Sequence, residues 1–333
     1  MSILSKHIPL NRVPISIITG FLGSGKTTLI NNLVNQPGMD KTALIINEFG
    51  EIGLDNLLVE TAIENTLLLE NGCICCSIRG DLIDTISDLF AKVKNGEIPQ
   101  FSRILIETTG LANPAPIVKS IQSQISVVDR CQLNNVITMV DGVQGAFQML
   151  KHEEAVLQIA QADIAIISKS DLASAREVQK LEEGVLRINP TLKIKSIKQG
   201  EIDPEFLFQA SIEKTFTLPV IEHRHEHQSD FNHGDVVTWS ILYGSPLDEQ
   251  RLRDWLSMLY TLRPFSMLRM KGFVWLADSE RALLIQAVGN IISPPEWHDS
   301  WPAGEMQTQL VFIFKGLPPA SMSASFTTHV LNQ

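Results

Sequence analysis

The sequence predicts an α/β fold, a doubly wound and mostly parallel sheet, followed by a smaller α+β domain. Two observations support this fold class. Residues 13–34, VPISIITGFLGSGKTTLINNLV, pass from a β-branched apolar stretch through a glycine-rich turn into apolar residues at helical spacing. Short, continuously apolar runs then recur between helical patterns, and such runs are typical of parallel strands that are covered on both faces. Strands and helices that alternate in this way form doubly wound sheets.

Further strands are predicted by these later apolar runs. The runs are TALII at 42–46, ILI at 104–106, VITMV at 136–140, IAIIS at 164–168 and KIKSI at 193–197. In doubly wound sheets the ligand site forms at the carboxyl ends of the strands. The residues directly after each run are therefore candidate site residues.

The first strand leads into a phosphate-binding loop. Gly20 and Gly25 bracket four residues, and Lys26 and Thr27 follow, which matches the G-x-x-x-x-G-K-[ST] motif between a strand and a helix. In this motif backbone N–H groups and a helix N-terminus surround the phosphates, the lysine reaches the outer ones and the hydroxyl binds Mg²⁺. The predicted nucleotide-binding residues here are Gly20, Gly23, Ser24, Gly25, Lys26, Thr27 and Thr28, with Thr27 as the Mg²⁺ ligand.

Acidic residues follow two of the later strands. Glu107, in ETTG after the run at 104–106, stands where phosphate-loop enzymes keep an acid beside the magnesium, and the N–H of Gly110 can sense a γ-phosphate. Glu48 and Glu51, in NEFGEIGLD, are candidates to position the attacking water or a second metal, with a solvated acidic loop as the alternative. The predicted catalytic residues are Lys26, Glu107 and Glu51.

The run at 164–168 leads into SKSD, residues 168–171, which looks like the guanine-reading [N/T/S]-K-x-D element of GTPases. A carboxylate at Asp171 can accept two hydrogen bonds from guanine, whereas adenine offers no matching donors; by analogy with other bidentate base contacts this is worth about 1–3 kcal/mol. Ser168 stands where asparagine is commonest, and its shorter side chain predicts looser base selectivity. Ser168, Lys169 and Asp171 complete the predicted nucleotide-binding set.

Three of the four cysteines, Cys73, Cys75 and Cys76, lie within four positions. Thiolates suit Zn²⁺ or another borderline-soft ion, and the spacing is too tight for a structural zinc site built from two separated pairs. The helical pattern after them predicts that they stand just before a helix N-terminus, which lowers the pKa of thiols. A redox switch and plain burial are the alternatives. Cys131 is isolated, and we expect it to be a small buried hydrophobe.

The segment 221–235 is rich in histidine and nearly free of apolar residues, which indicates an exposed linker. It separates a predicted nucleotide domain, 12–220, from a C-terminal α+β domain, 236–328, in which we expect an antiparallel sheet and no catalytic constellation. Alternating histidines in the linker can gather a divalent ion, with a solvated polar linker as the alternative. The candidate ligands are His223, His225 and His227.

Composition limits the partners of the chain. Its 333 residues are 44% hydrophobic and carry a formal net charge of -10, which argues against binding that relies on neutralising nucleic-acid phosphates or anionic lipid. No apolar run approaches the roughly 18 residues that cross a bilayer, and the start MSILSKHIPLNRVP lacks the apolar segment of a signal peptide. We therefore expect a cytosolic protein, whose clustered cysteines are more often metal-binding or catalytic than disulfide-bonded.

Together the motifs resemble one known family. GFLGSGKTTL, NEFGEIGLD, ENGCICC, ETTGLANPAP and SKSD occur in the order and spacing of the CobW-like GTPases, which are relatives of the accessory proteins that deliver nickel to urease and hydrogenase. The later stretches MKGFVWL, QAVG and TQLVFIFKGLP resemble the C-terminal domain of that family. The resemblance implies a slow, Mg²⁺-dependent GTPase that cycles between GTP and GDP, binds zinc, cobalt or nickel and serves a client metalloprotein as chaperone or insertase. A homodimer is an open possibility.

Two other function classes stay open on the sequence. A metal buffer or sensor whose nucleotide pocket only sets conformation would show negligible hydrolysis even with zinc and a client. An ATP-using small-molecule kinase would need a substrate pocket in the last third, where the sequence shows no polar cluster. The cysteines lie between the NEFGE loop and the ETTG strand end, and this order favours metal affinity that depends on the bound nucleotide.

Overall fold

The computed structural model of the protein shows two β-sheets in the residues that it describes. The structure describes residues 12–46, 59–63, 66–69, 74–77, 81–208, 236–263, 266–301 and 304–332. Within these ranges no helix has the combination of length and apolar character that crossing a membrane requires. The predicted domain limits at 220 and 235 fall in 209–235, outside the described residues, and stay predictions.

In the described residues the first sheet has nine strands, and it is mostly parallel, which confirms the predicted type of sheet. The strands are β1 (Val13–Gly20), β2 (Thr42–Ile46), β3 (Val59–Ile63), β4 (Thr66–Leu69), β5 (Ile74–Ser77), β6 (Arg103–Glu107), β7 (Cys131–Asp141), β8 (Ile164–Ser168) and β9 (Lys193–Ser196). Their order is β3-β4-β5-β2-β6-β1-β7-β8-β9. Pairing is parallel from β5 to β9, whereas β4 runs antiparallel to both β5 and β3.

Helices cover both faces of this sheet. They are α1 (Lys26–Val34), α2 (Leu82–Asn95), α3 (Pro114–Ser123), α4 (Ile125–Val128), α5 (Gly145–Lys151), α6 (Glu153–Gln161), α7 (Ala175–Ile188) and α8 (Pro204–Phe208). Adjacent residues of β1 pack into different cores: Ile17 joins the core that contains α2, α3, α6 and α7, and Ile18 joins the core that contains α1 and α8. Burial on both faces explains why the strand sequences are continuously apolar.

The second sheet is antiparallel, as expected for the C-terminal part. Its strands are β10 (Val236–Tyr243), β11 (Met267–Val274), β12 (Ala282–Val288), β13 (Ile291–Ile292), β14 (Glu296–His298) and β15 (Thr308–Lys315). Their order is β10-β15-β11-β12-β13, and β14 pairs with β12. One face packs against α9 (Glu249–Leu262), α10 (Pro319–Phe326) and a π-helix, Thr327–Leu331, around the buried rings of Trp239 and Trp255.

The other face of the second sheet packs on the first part of the chain. Leu268 and Ile313 belong to the same hydrophobic core as Ile159 and Ile188. Hydrogen bonds cross this interface as well, for example from the Thr238 hydroxyl to the carbonyl of Ile188 (3.0 Å). The two sheets are therefore joined by a packed apolar interface with polar links.

Gly272 lies in β11 where that strand pairs with β15. A Cβ atom at this position would lie 1.9 Å from the carbonyl oxygen of Gln309 and 2.8 Å from the Cα of Leu310, both backbone atoms. We expect Gly272→Ala to lower the free energy of unfolding by roughly 1–3 kcal/mol, because a rigid strand must move to admit the methyl group. Gly244→Ala is the control, since no atom lies within 4 Å of a Cβ there. Equal denaturation midpoints for the two variants would contradict this expectation.

Candidate functional site

The loop between β1 and α1 forms a concave turn at the carboxyl edge of the first sheet. Gly23 and Gly25 adopt positive φ angles of 75° and 90°, which glycine tolerates without strain. Gly25 is the N-cap residue of α1, and no side chain among the described residues caps that end of the helix. Uncapped N–H groups at a helix N-terminus favour an anion. The loop therefore fits a phosphate group.

Two side chains of the loop add to this fit. Lys26 is only 6% exposed, and its Nζ donates a hydrogen bond to the carbonyl of Gly20 (3.0 Å), which places the ammonium group across the loop. The hydroxyl oxygen of Ser24 is buried and has no hydrogen-bond partner among the described residues. Thr27 and Thr28 lie in the first turn of α1, with Thr27 half-buried and Thr28 exposed.

Glu107 and Gly110 lie beside this loop. Glu107 is the last residue of β6, is fully buried, and is in register with Ile18 of β1. The next residue, Thr108, donates its hydroxyl to that of Thr19 (3.0 Å), which fixes the end of β6 against β1. A Cβ at Gly110 would lie 2.5 Å from the side chain of Leu22, so the ETTG turn touches the phosphate loop directly. Both predicted residues are thus brought to the loop.

The SKSD segment also contacts the phosphate loop. Ser168 donates its hydroxyl to the carbonyl of Ser24 (2.7 Å), and Lys169 Nζ donates to the carbonyl of Gly23 (2.8 Å). Asp171 is exposed in the turn that follows. The short side chain of Ser168 thus bonds to the loop backbone, while its effect on base selectivity stays a prediction.

Two parts of this site were missed by the sequence analysis. Asp141 ends β7, and its buried carboxylate pairs with Lys169 Nζ at 2.6 Å. The segment 198–200, after β9, contacts α1, where the Asn32 side chain donates to the carbonyl of Gln199 (2.5 Å). Both directly follow predicted apolar runs, so the carboxyl-end rule applied to every run would have found them.

Hydrogen bonds stabilise the charge of Asp141. Burial by itself would raise the pKa of this carboxyl, but hydrogen bonds from Lys169 and from the N–H groups of Gln144 and Val143 outweigh burial and lower the pKa. Asp141 is therefore ionised at neutral pH and pairs with the Lys169 ammonium as a charged partner.

Cys75 and Cys76 lie within β5, in register with Leu44 and Ile45 of β2. Helix α2 begins at Leu82, which confirms the helix predicted after the cysteines, but Cys75 and Cys76 themselves are not part of its first turn. The segment pairs with β2 instead, and its first residue, Ile74, is buried in the core. A strand therefore carries these two cysteines, and residues 78–80, between this strand and α2, lie outside the described residues.

Other predicted metal ligands lie outside the described residues. They are Glu48, Glu51, Cys73, His223, His225 and His227. In the part of the chain that the structure describes, no three His, Cys, Asp or Glu residues cluster as metal ligands. Cys131 is 2% exposed, and burial raises the pKa of its thiol to about 12, which confirms it as a buried hydrophobe.

A polar groove lies in the C-terminal part, where the sequence analysis found no polar cluster. Its lining residues come from α9, from the turn between β11 and β12, and from β14. Because these segments are far apart in the sequence, the spacing of residues along the chain does not reveal that they form one groove. The lining residues include Glu249, Asp278, Ser279, Arg281 and Trp297. The residues that line the groove all belong to the C-terminal part of the chain, and none of them belongs to the phosphate loop or to the first sheet.

Comparisons with known proteins identify the family. Residues 14–196 match the family model described as CobW/HypB/UreG, nucleotide-binding domain, and residues 236–329 match the cobalamin synthesis protein cobW C-terminal domain. The zinc chaperone YjiA of Escherichia coli K12 is 32% identical over 317 residues, which cover 95% of this chain and 98% of that protein. The zinc-regulated GTPase metalloprotein activator 1 of Schizosaccharomyces pombe is 31% identical over 202 residues, 58% of this chain and 48% of that protein.

A solved structure agrees over nearly the whole length. The crystal structure of the Zn(II)-bound YjiA GTPase from E. coli matches with a TM-score of 0.81 and 30% identity, covering 96% of this chain and 99% of that chain. These names agree with the prediction of a GTPase that handles metal. The chain belongs to the CobW/HypB/UreG family and carries the CobW C-terminal domain.

Proposed function

We propose that this protein hydrolyses GTP and uses the nucleotide cycle to bind zinc and pass it to a client metalloprotein. The observation that carries the nucleotide part is the junction of the phosphate loop with the SKSD segment. Two hydrogen bonds join them, from Ser168 to the Ser24 carbonyl and from Lys169 to the Gly23 carbonyl. One rigid site can therefore hold the phosphates and the base of the same nucleotide.

The residues around the phosphate loop have separate roles in the proposed hydrolysis. Lys26 and the loop N–H groups stabilise negative charge on the phosphates, and Gly110 lies beside the same loop. Thr27 and Glu107 supply the oxygen ligands that Mg²⁺ prefers, and the ion when bound neutralises phosphate charge. Glu51 or Glu48 would position the attacking water. Because such catalysis rests on positioning and electrostatics, we expect slow turnover until a partner completes the site.

Guanine is the base that this site is proposed to select. Asp171 is exposed at the end of the SKSD turn, where its carboxylate is available to accept the two N–H donors that guanine presents. The neighbouring Leu172 N–H closes the turn on the carbonyl of Lys169 (3.0 Å), which fixes the backbone of the turn that carries Asp171. Competition between GTP and ATP for the site would measure this selectivity directly.

Zinc is the proposed cargo, with cobalt or nickel as alternative ions. The proposed ligands are the thiolates of Cys73, Cys75 and Cys76, since soft sulfur donors suit these metals. Strand β5, which carries two of them, pairs with β2, and β2 pairs in turn with β6, the strand that ends at Glu107. A structural change at the nucleotide site can therefore reach the cysteines through the adjacent, hydrogen-bonded strands β6, β2 and β5.

A zinc titration against a competing chelator tests both parts of this proposal. The protein is loaded with either GDP or a non-hydrolysable GTP analogue, and we expect the two forms to differ in zinc affinity. By linkage, zinc must then change nucleotide affinity by the same factor. Equal zinc affinity in the two nucleotide states would contradict the coupling.

The cysteine site has its own test in the same titration. Cys75→Ala is expected to weaken zinc binding by roughly tenfold or more, because a thiolate ligand is lost and the loss of an outer-shell partner alone typically costs that much. Cys131→Ala is the matched control, since that thiol is buried and its pKa is raised to about 12. Unchanged zinc affinity in Cys75→Ala, or an equal loss in both variants, would argue against the cysteine cluster as the metal site.

A further inference from the structure

Asp141 is a buried carboxylate that the proposed mechanism does not use. Its side chain is 3% exposed at the end of β7. One carboxylate oxygen accepts the N–H groups of Val143 (2.8 Å) and Gln144 (3.0 Å), and the other accepts Lys169 Nζ (2.6 Å). Both oxygens are therefore engaged, and the carboxylate is held in one orientation.

Lys169 connects this carboxylate to the phosphate loop. Its Nζ donates to the Asp141 carboxylate and also to the carbonyl of Gly23, 2.8 Å away. Its backbone has a φ of 53°, a left-handed conformation that is uncommon for residues other than glycine. The side chain is 39% exposed, so solvent could compete for the ammonium group if the carboxylate did not hold it.

The ends of β7 and β8 are also fixed to each other through the backbone. Asp141 and Ser168 are paired in the parallel register of these strands. The Gly142 N–H donates to the carbonyl of Ser168 (2.9 Å), and a Cβ at Gly142 would lie only 2.4 Å from that oxygen. These contacts fix the backbone of Asp141 beside the SKSD segment.

We propose that Asp141 is a positioning residue for guanine-nucleotide binding, acting through Lys169. The carboxylate directs the ammonium group onto the Gly23 carbonyl, so that the phosphate loop and the base-reading turn keep one relative geometry. This inference rests on the proposed function, because it concerns the same nucleotide site. None of the hydrogen bonds of Asp141 is made to Lys26, Thr27 or Glu107, so binding rather than the chemical step depends on it.

Asp141→Asn tests the proposal with little change in shape. The asparagine side-chain oxygen can still accept hydrogen bonds from the N–H groups of Val143 and Gln144. The NH2 group, which replaces the other carboxylate oxygen, cannot accept a hydrogen bond from the Lys169 ammonium group. We expect the Kd for GDP to rise about tenfold or more, as for the loss of a charge-assisted hydrogen bond. The KM for GTP should rise by a similar factor while kcat stays close to the wild-type value, a split that general loss of structure would not produce.

Lys169→Met removes the other partner of the same bridge, at a half-exposed position where a folding defect is less of a concern. If Asp141 acts through Lys169, the double variant binds GDP no more weakly than Lys169→Met alone. Asp248→Asn is the control, because Asp248 also accepts a backbone N–H, from Arg251 (2.8 Å), but lies at the start of α9. Thermal unfolding of each variant shows whether it is folded.

The outcomes separate this inference from the function on which it rests. If the wild-type protein fails to bind GDP, the proposed nucleotide function is wrong. If the wild type binds GDP but Asp141→Asn, or Lys169→Met where Asp141→Asn does not fold, has the wild-type Kd, the positioning role is overturned. Additive losses in the double variant would likewise overturn it, because the two residues would then act independently.

Discussion

Lys26→Ala is expected to lower kcat for GTP hydrolysis on the order of a hundredfold to a thousandfold. The ammonium group of Lys26 is buried and already lies across the phosphate loop, 3.0 Å from the carbonyl of Gly20. A charge held in place before the reaction stabilises the developing phosphate charge without further reorganisation. Its removal therefore affects the transition state most strongly, and phosphate release at saturating GTP and Mg²⁺ measures the loss.

The control for this prediction is another lysine of the same domain. Lys180→Ala changes an exposed residue of α7 and should leave both kcat and KM unchanged. Nucleotide affinity, measured separately, shows whether Lys26→Ala weakens binding as well as chemistry. A kcat for Lys26→Ala close to that of the wild type would show that the phosphate loop does not catalyse hydrolysis in this protein.

The first sheet could be predicted closely because its strands are buried on both faces. The runs at 42–46 and 164–168 coincide with β2 and β8, and the run at 136–140 lies within the buried part of β7. Such strands show continuous apolar residues of strand length, which distinguishes them from the amphipathic helices around them. The phosphate loop was equally predictable, because its function requires glycine, lysine and a hydroxyl at fixed spacing.

The strand that carries Cys75 and Cys76 was harder to predict. A cluster of cysteines suggests chemistry, yet free cysteine also behaves as a small hydrophobe that fits a sheet. The pairing of β5 with β2 joins residues about 30 positions apart in the chain, and no local pattern reports it. The sequence therefore indicated the candidate ligands and the helix after them, but not the strand that carries Cys75 and Cys76.

Asp141 illustrates a second limit. A single acid after an apolar run matches no motif, and its importance becomes visible only when the structure brings Lys169 and Gly23 to it.

The interface between the two sheets is a third case. Asp163, Arg269 and Lys271 are polar residues without any distinctive spacing, and their contact depends on how the sheets pack.

This last cluster buries charge between the two sheets. Asp163, just before β8, pairs with Arg269 and with Lys271 (2.9 Å), both in β11, and it also accepts the N–H of Val136 (3.0 Å). The Arg269 side chain is only 2% exposed. Burial by itself would raise the pKa of Asp163, but the charges of Arg269 and Lys271 outweigh burial and lower the pKa to about 2.

Asp163→Asn is expected to lower the free energy of unfolding by about 3–5 kcal/mol at neutral pH, because it leaves a buried arginine without its counter-charge. Glu153→Gln is the matched control: the Glu153–Lys315 pair also joins the two parts of the chain, but it is exposed and should contribute at most about 1 kcal/mol. Denaturation followed by tryptophan fluorescence reports on the unfolding of the C-terminal part of the chain, since all five tryptophans follow residue 236. Equal losses in the two variants would contradict a special role for the buried pair.

The dependence on pH provides an independent check of the same cluster. The folded-state pKa of Asp163, about 2, lies below the unfolded value of about 3.9, so the unfolded chain binds the proton more readily. The stabilisation from this carboxylate is therefore complete above the unfolded pKa and is lost as the pH falls from about 4 towards 2. The difference in stability between wild type and Asp163→Asn should shrink over that interval and stay constant from pH 5 to 7. A difference that did not change with pH would mean that Asp163 stabilises the interface through packing rather than through its charge.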